Sequence, residues 1–244
     1  MPTFDKDQVP LFAREGLFRQ KLNQLRNTGN LNQSAKPQPQ ADAQSRFREL
    51  EQGSYLSNVQ SSTYTGKGDQ QEAERIALLD SVTELYNRNT VMRILRDELK
   101  RTKRYKHSLG LLVIKVDEMA KIGKSFGQNT VDSVLKGTAN FIMSKVRDVD
   151  IPARYDTDTF LVICPETDPK GVSVLAERIR AKIMLERVSD VGQNWHVTVS
   201  QGIAGYPGNA QKADELVEAA VNAAKKANES GGNQTVTASI EAEA

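Results

Sequence analysis

The chain has 244 residues, 33 Lys and Arg against 31 Asp and Glu, and a formal net charge of +2, a balance that argues against a general nucleic-acid binder, which carries a basic excess to neutralise phosphates. No apolar run reaches the roughly 18 to 20 residues of a membrane span, and the start MPTFDKDQVP has no apolar stretch behind a basic cluster, so neither a transmembrane segment nor a secretory signal is expected and a cytoplasmic location follows. One cysteine, Cys164, excludes an intramolecular disulfide framework and a zinc ribbon, and the two histidines, His107 and His196, lie far apart.

Residues 1–70 hold ten glutamines with many Asn and Ser, too little apolar surface to offset the entropy of ordering, so a disordered tail is expected. Within it, Leu11, Phe18, Leu22 and Leu25 recur at helical spacing among Arg14, Arg19, Lys21 and Arg26, which suggests a short basic amphipathic helix over 11–26. That helix is either transient and partnerless or a docking element for a protein or an anionic surface. Phe47, Leu50, Tyr55 and Leu56 offer a second short contact motif. From about residue 72 the pattern turns globular. Ile76, Leu79, Val82 and Leu85 keep a helical face, and a longer helix is predicted from about Thr90 to Tyr105. An apolar strand follows over Leu109 to Val116, then an amphipathic helix marked by Val131, Val134, Leu135, Ala139, Ile142 and Val146. Two short strands, Ile151 to Tyr155 and Thr159 to Cys164, flank a polar turn. A helix from Gly171 to Arg187, a strand from Trp195 to Ile203 and a helix from Asp214 to Asn228 complete the set, and the end from Thr237 reads as a frayed tail. The alternation predicts one α/β (α+β) domain on a single sheet, spanning 72–238, with 239–244 frayed.

The motifs narrow this. Asp80-Ser81-Val82-Thr83-Glu84-Leu85-Tyr86-Asn87-Arg88 resembles D-x-L-T-G-L-x-N-R, and Arg154-Tyr155-Asp156-Thr157-Asp158-Thr159-Phe160 resembles R-Y-G-G-D-E-F. Phe126-Gly127 with Asp132, Ala176-Glu177-Arg178-Ile179-Arg180 and Thr198-Val199-Ser200-Gln201-Gly202-Ile203-Ala204 fall in the matching order. Over about Ile76 to Val236 the chain therefore resembles the GGDEF domains of bacterial diguanylate cyclases, which join two GTP into cyclic di-GMP. The resemblance implies a five-stranded, mainly antiparallel sheet flanked by helices, related to the palm of nucleotidyl cyclases and polymerases.

It also implies an active site that this chain has altered. The family holds Mg²⁺ between a carboxylate at the end of the first strand and one in the signature hairpin. Lys115 stands at the first position, and an ammonium repels a cation. Asp156 and Thr157 replace the two glycines that let backbone approach the phosphates. Asp158 stands at the metal-binding acid, and its neighbouring acid has become Thr159. Gly123 replaces the family's guanine-reading Asn, while Asp132 matches the second guanine contact. Asn228 and Gly232 align with two phosphate-binding cations. The domain is therefore expected to be a degenerate, catalytically inactive one that holds no Mg²⁺. Lys115 either pairs with Asp158 or snorkels to solvent from the strand end.

One family feature is intact. The resemblance implies an inhibitory R-x-x-D site for cyclic di-GMP, here Arg147-Asp148-Val149-Asp150 followed after five residues by Asp156, with a second arginine at Arg178. An arginine fork donates to guanine O6 and N7, and a carboxylate accepts from N1 and N2. Against this stand a surface ion pair for Arg147 and Asp150 and a solvated helix face for Arg178. The leading expectation is a cyclic di-GMP receptor that passes its ligand state to a protein partner through the N-terminal tail or the lead-in helix, with a homodimer compatible. The alternatives are a nucleotide-independent protein-interaction scaffold and a cyclase with residual activity.

Overall fold

The run Leu109–Val116 is apolar on both of its alternating faces, which marks a strand buried between layers. In the computed structural model, which describes residues 77–186, 188–190 and 193–239, it is the central strand β1. Helix α1 (Arg88–Tyr105) precedes it. After it come α2 (Met119–Phe126), α3 (Gln128–Lys145), β2 (Ile151–Arg154), β3 (Thr159–Pro165) and α4 (Pro169–Leu185). A small hairpin of β4 (Val188–Asp190) and β5 (Gln193–Trp195) leads to β6 (Val199–Tyr206), α5 (Ala213–Glu229) and β7 (Thr235–Thr237). The main sheet has five strands in the order β2-β3-β1-β6-β7, all neighbours antiparallel except β6 and β7. This is the architecture the sequence predicted.

Alternation divides the sheet into two packed faces. Leu112, Ile114 and Val116 of β1 join Phe160, Val162 and Cys164 of β3 against Val134, Leu135 and Ile142 of α3 and Val172, Ile179 and Ile183 of α4. Each fully buried Leu, Ile or Phe there stabilises the fold by about 1.5–3 kcal/mol. The opposite face, with Leu111 and Val113, packs under α1 and α5. Helix α5 comes so close to β6 that a Cβ on Gly202 would lie 2.0 Å from the Ala220 carbonyl oxygen. The small residues Ala220, Ala223 and Ala224 make that approach feasible.

Local chemistry sets the element ends. The Asn87 side chain caps α1 by accepting from the Thr90 N–H at 3.0 Å, and Lys106 closes it in the left-handed conformation. Asp168 caps α4 by accepting from the Gly171 N–H at 2.8 Å, with Pro169 at the first helical position.

Three expectations are corrected, and one element is new. Of the helical face over 76–85, Ala77 and Leu78 are helical but a turn replaces the helix from Asp80 on, because the Asp80 carboxylate accepts from the Val82 and Thr83 N–H groups and the Thr83 hydroxyl. Side-chain bonds of this kind compete with the helix. The strand predicted from Trp195 to Ile203 starts at Val199, and Trp195 belongs to the separate β4–β5 hairpin, its ring 5.0 Å from Phe126. Helix α2 was not anticipated. Thr237 is not frayed: it pairs with Ile203, and the Ala238 and Ser239 carbonyls accept from the Asn209 amide at 3.1 Å. The 11–26 helix and the 47–56 motif lie outside the described residues. Among the described residues no helix is long and apolar enough to cross a membrane.

Candidate functional site

The end of β1 and the β2–β3 hairpin meet through sheet register. Lys115 lies opposite Thr159, and the Val116 N–H donates to the Asp158 carbonyl at 2.9 Å. That register places the Lys115 ammonium on the Asp158 carboxylate as a hydrogen-bonded ion pair. The side chains are 34% and 23% exposed, respectively. The other Asp158 oxygen accepts from the Thr159 hydroxyl at 2.8 Å. Of the two readings of Lys115, the structure shows the paired one.

The hairpin turn closes on itself. The Tyr155 and Asp156 N–H groups both donate to the Thr159 carbonyl, at 2.8 and 3.0 Å, and the Asp156 carboxylate accepts from the Thr157 N–H at 2.8 Å. Neither Asp156 nor Thr157 takes a positive φ, so the turn forms without the glycines of the signature. Arg154 buttresses it, donating to the Thr157 carbonyl at 2.8 Å and to both Asp80 oxygens at 3.2 and 3.3 Å. The entry motif and the signature hairpin are thereby tied together.

Asp117, one residue beyond β1, is buried and accepts four hydrogen bonds. They come from Thr198 Oγ1 at 2.7 Å, Ser200 Oγ at 2.6 Å, Asn228 Nδ2 at 2.7 Å and the Asn233 N–H at 3.0 Å. Asn228 is thus engaged with a carboxylate, and Gly232 offers no side chain. At the remaining family positions, Gly123 lies on α2, where a Cβ would stand 3.3 Å from Val131 Cγ2, tighter than most packed contacts. Asp132, half-buried on α3, accepts from Gln128 Nε2 at 2.8 Å.

Arg147 and Asp150 lie in the turn that follows α3, and Arg178 reaches the last residue of α3 from α4. Arg178, exposed on α4, donates to the Lys145 carbonyl at 2.7 Å, at the negative end of the α3 dipole and two residues before Arg147. The Asp150 carboxylate accepts from the Arg147 N–H at 2.7 Å. Arg147 is exposed, but Asp150 is buried, 2% accessible, and its charge is felt by the Cys164 thiol. Burial first, and Asp150 second, push that thiol well above its ordinary value, while Arg147 draws it down.

Three features escaped sequence reasoning. Glu177, beside Arg178, accepts from Arg180 at 2.9 Å and from Thr235 Oγ1 at 2.5 Å; its only sequence signal was the i,i+3 spacing to Arg180. The fourfold engagement of Asp117 had none. His107, far in sequence from His196, has an acidic neighbour that no local spacing announces: its Nδ1 lies 3.2 Å from Glu166, which also meets Arg101 at 3.1 Å.

Comparison with known proteins agrees with this geometry. The chain is 31% identical over 163 residues to the response regulator PleD of Caulobacter vibrioides, an alignment covering 66% of this chain and 36% of that protein. It is 30% identical over 129 residues to diguanylate cyclase A of Treponema denticola, covering 53% and 35%. The chain thus spans about a third of the length of these two relatives. Among solved structures, the GGDEF domain of DgcB from Caulobacter crescentus, in complex with c-di-GMP, superimposes with a TM-score of 0.62 at 24% identity, covering 66% of this chain and 93% of that one. Diguanylate cyclase SiaD from Pseudomonas aeruginosa, in complex with its activator SiaC, gives 0.63 at 22% identity, covering 95% and 86%; at these identities the likeness is one of fold. The family profile described as diguanylate cyclase, GGDEF domain, matches residues 77–234, and the chain belongs to that family.

Proposed function

We propose that this GGDEF domain has lost catalysis and acts as a cytoplasmic receptor for cyclic di-GMP. Arg147, Asp150 and Arg178 form its R-x-x-D inhibitory-type site. The observation that carries the receptor reading is the Arg178 bond to the Lys145 carbonyl, which holds one guanidinium against the turn bearing the other. Asp150 fixes that turn through the Arg147 N–H. Two arginines, Arg147 on that turn and Arg178 reaching the end of α3 from α4, suit a ligand with two phosphates and two guanines, since each fork can donate two parallel hydrogen bonds.

The loss of catalysis rests on the residues around Asp158. The donor set does not fit a magnesium ion. At the position where a second carboxylate is required, Lys115 brings a positive charge, and Asp158 is already committed to that charge and to Thr159. The guanine side fares no better, with Gly123 lacking an amide and Asp132 bonded within its own helix. No reaction step is therefore assigned to this site. In the full protein, ligand state would pass to a protein partner through residues 1–70 or through α1.

Calorimetric titration with cyclic di-GMP tests the receptor reading. Heat saturating at tens of micromolar ligand or below is expected, with at least a tenfold loss for Arg147→Ala and for Arg178→Ala. No heat from the unmodified protein would instead leave a nucleotide-independent interaction scaffold.

A further inference from the structure

The charge of the domain is not spread evenly. Residues 88–106 carry eight Arg and Lys against Asp97 and Glu98, a surplus of six, whereas residues 107–239 carry fifteen against sixteen. Helix α1 and its cap therefore hold a basic surplus that the rest of the domain lacks. Spacing puts most of it on one side. At about 100° per residue, Arg93, Arg96, Lys100, Lys103 and Arg104 fall within a sector of about 120°, in a row about 16 Å long. All five are exposed. Val91, Leu95 and Leu99 face the opposite way and are buried.

Helix chemistry accounts for part of the row. Lys103 and Arg104 stand in the last turn, where cations complement the macrodipole. Arg93, Arg96 and Lys100 stand before that turn and gain little from it. Two carboxylates reach the row, Asp97 on Lys100 at 3.1 Å and Asp214 on Arg96 at 3.0 Å. Both are exposed pairs, a kind that holds its partners weakly. Glu215, next in α5, is engaged by Lys212 at 2.7 Å. Lys103 lies over the Tyr206 ring at 5.8 Å, and Tyr105, 57% exposed, stands at the C-terminal end of the row.

The shape of this face limits what it fits. It is the convex outside of a helix, and none of the exposed large apolar side chains among the described residues stands between the five cations. A protein interface is instead centred on buried aromatic or arginine anchors and is depleted in lysine. A plane of anionic headgroups needs neither pocket nor anchor. Its negative surface potential attracts clustered Lys and Arg, and tyrosine sits at headgroup depth. The apolar residues of α1 are committed inward, so such contact is made at the surface, without insertion of the helix.

We propose that the outer face of α1 is a docking surface for an anionic lipid bilayer, with Arg93, Arg96, Lys100, Lys103 and Arg104 over the headgroups and Tyr105 at their edge. The assignment goes beyond the receptor reading and does not depend on it, because Arg147, Asp150 and Arg178 take no part.

Co-sedimentation of the full chain with phosphatidylcholine vesicles, with and without about 30% phosphatidylserine, tests the assignment. Two triple variants accompany the unmodified protein. One carries Lys100→Gln, Lys103→Gln and Arg104→Gln; the other carries Lys121→Gln, Lys124→Gln and Lys136→Gln, at exposed positions of α2 and α3. The unmodified protein should sediment only with the vesicles that contain phosphatidylserine. That binding should weaken steeply as salt rises from about 0.1 M to about 1 M, where the screening length falls from about 10 Å to about 3 Å. A basic side chain near an anionic surface is worth about fivefold in affinity, so the α1 variant should bind about 100-fold more weakly. The α2–α3 variant, with the same change in net charge, should stay within about fivefold of the unmodified protein. Undiminished sedimentation of the α1 variant would overturn the assignment and place the lipid attraction elsewhere in the chain. Equal losses in the two variants would overturn it as well, since net charge and not the α1 face would then decide. So would an unmodified protein that ignores phosphatidylserine; binding of a poly-glutamate peptide in that case would give the face to an acidic protein. None of these outcomes alters the receptor reading, which titration with cyclic di-GMP decides separately.

Discussion

Replacing Lys115 by Met removes the charge that stands on Asp158 while keeping the length of the side chain. The cost depends on how wet the pair is. An exposed ion pair is worth about 0–1 kcal/mol, whereas removing one partner of a fully buried pair costs about 3–5 kcal/mol. With side chains 34% and 23% exposed, this pair falls between, and solvent screening pulls it toward the lower figure. Thr159 goes on donating to the second Asp158 oxygen, which limits the desolvation penalty. A loss of about 1–2 kcal/mol is therefore expected for Lys115→Met. For a domain of this size that corresponds to a fall in Tm of roughly 3–6 °C. Urea unfolding at neutral pH measures it, with Asp158→Asn and the double variant completing a thermodynamic cycle. The double variant should recover much of the loss, and the coupling should be about 1 kcal/mol. Coupling below about 0.3 kcal/mol, the ordinary scatter of independent sites, would mean that Lys115 merely extends from the strand end.

Two further outcomes follow from the same network. Asp117→Ala strands the Asn228 amide and the Asn233 N–H beside two hydroxyls; a loss of about 2–4 kcal/mol is expected in denaturant unfolding, and a loss under about 1 kcal/mol would show that water satisfies those groups freely. Glu177 carries a pKa below 4.5 in the folded chain, chiefly through its Arg180 hydrogen bond, so its contribution is present above that ordinary value and fades as acid takes the pH down through the folded one. Stability measured between pH 6 and 3 should thus fall less steeply in Glu177→Gln than in the unmodified protein, and identical slopes would remove Glu177 from the acid response.

Much of the fold was legible because periodicity and motif agreed. The apolar run Leu109–Val116 read as a strand, and the resemblance set Lys115 and Asp158 at the two carboxylate positions of one site; the central place of that strand and its register with β3 came from the structure. What escaped depended on side-chain bonds that periodicity does not record. Asp80 folds its own neighbourhood into a turn, defeating an otherwise helical apolar spacing at Leu79, Val82 and Leu85. Thr235–Thr237 is too short to show alternation and is held by pairing with β6 and by Asn209. At the candidate ligand site, the positions of Arg147 and Arg178 were legible from motif order, but the burial of Asp150 was not. Glu177 looked like one more charge on a helix surface until Arg180 and Thr235 were seen to orient it.

The claim that this domain has given up synthesis can be tested in one incubation, purified protein with GTP and Mg²⁺ followed by product chromatography. No cyclic di-GMP above a protein-free blank is expected over hours, with an active cyclase domain run in parallel. Accumulation of cyclic di-GMP in proportion to protein would contradict the account, because it would require Asp158 to leave Lys115 and serve the nucleotide after all.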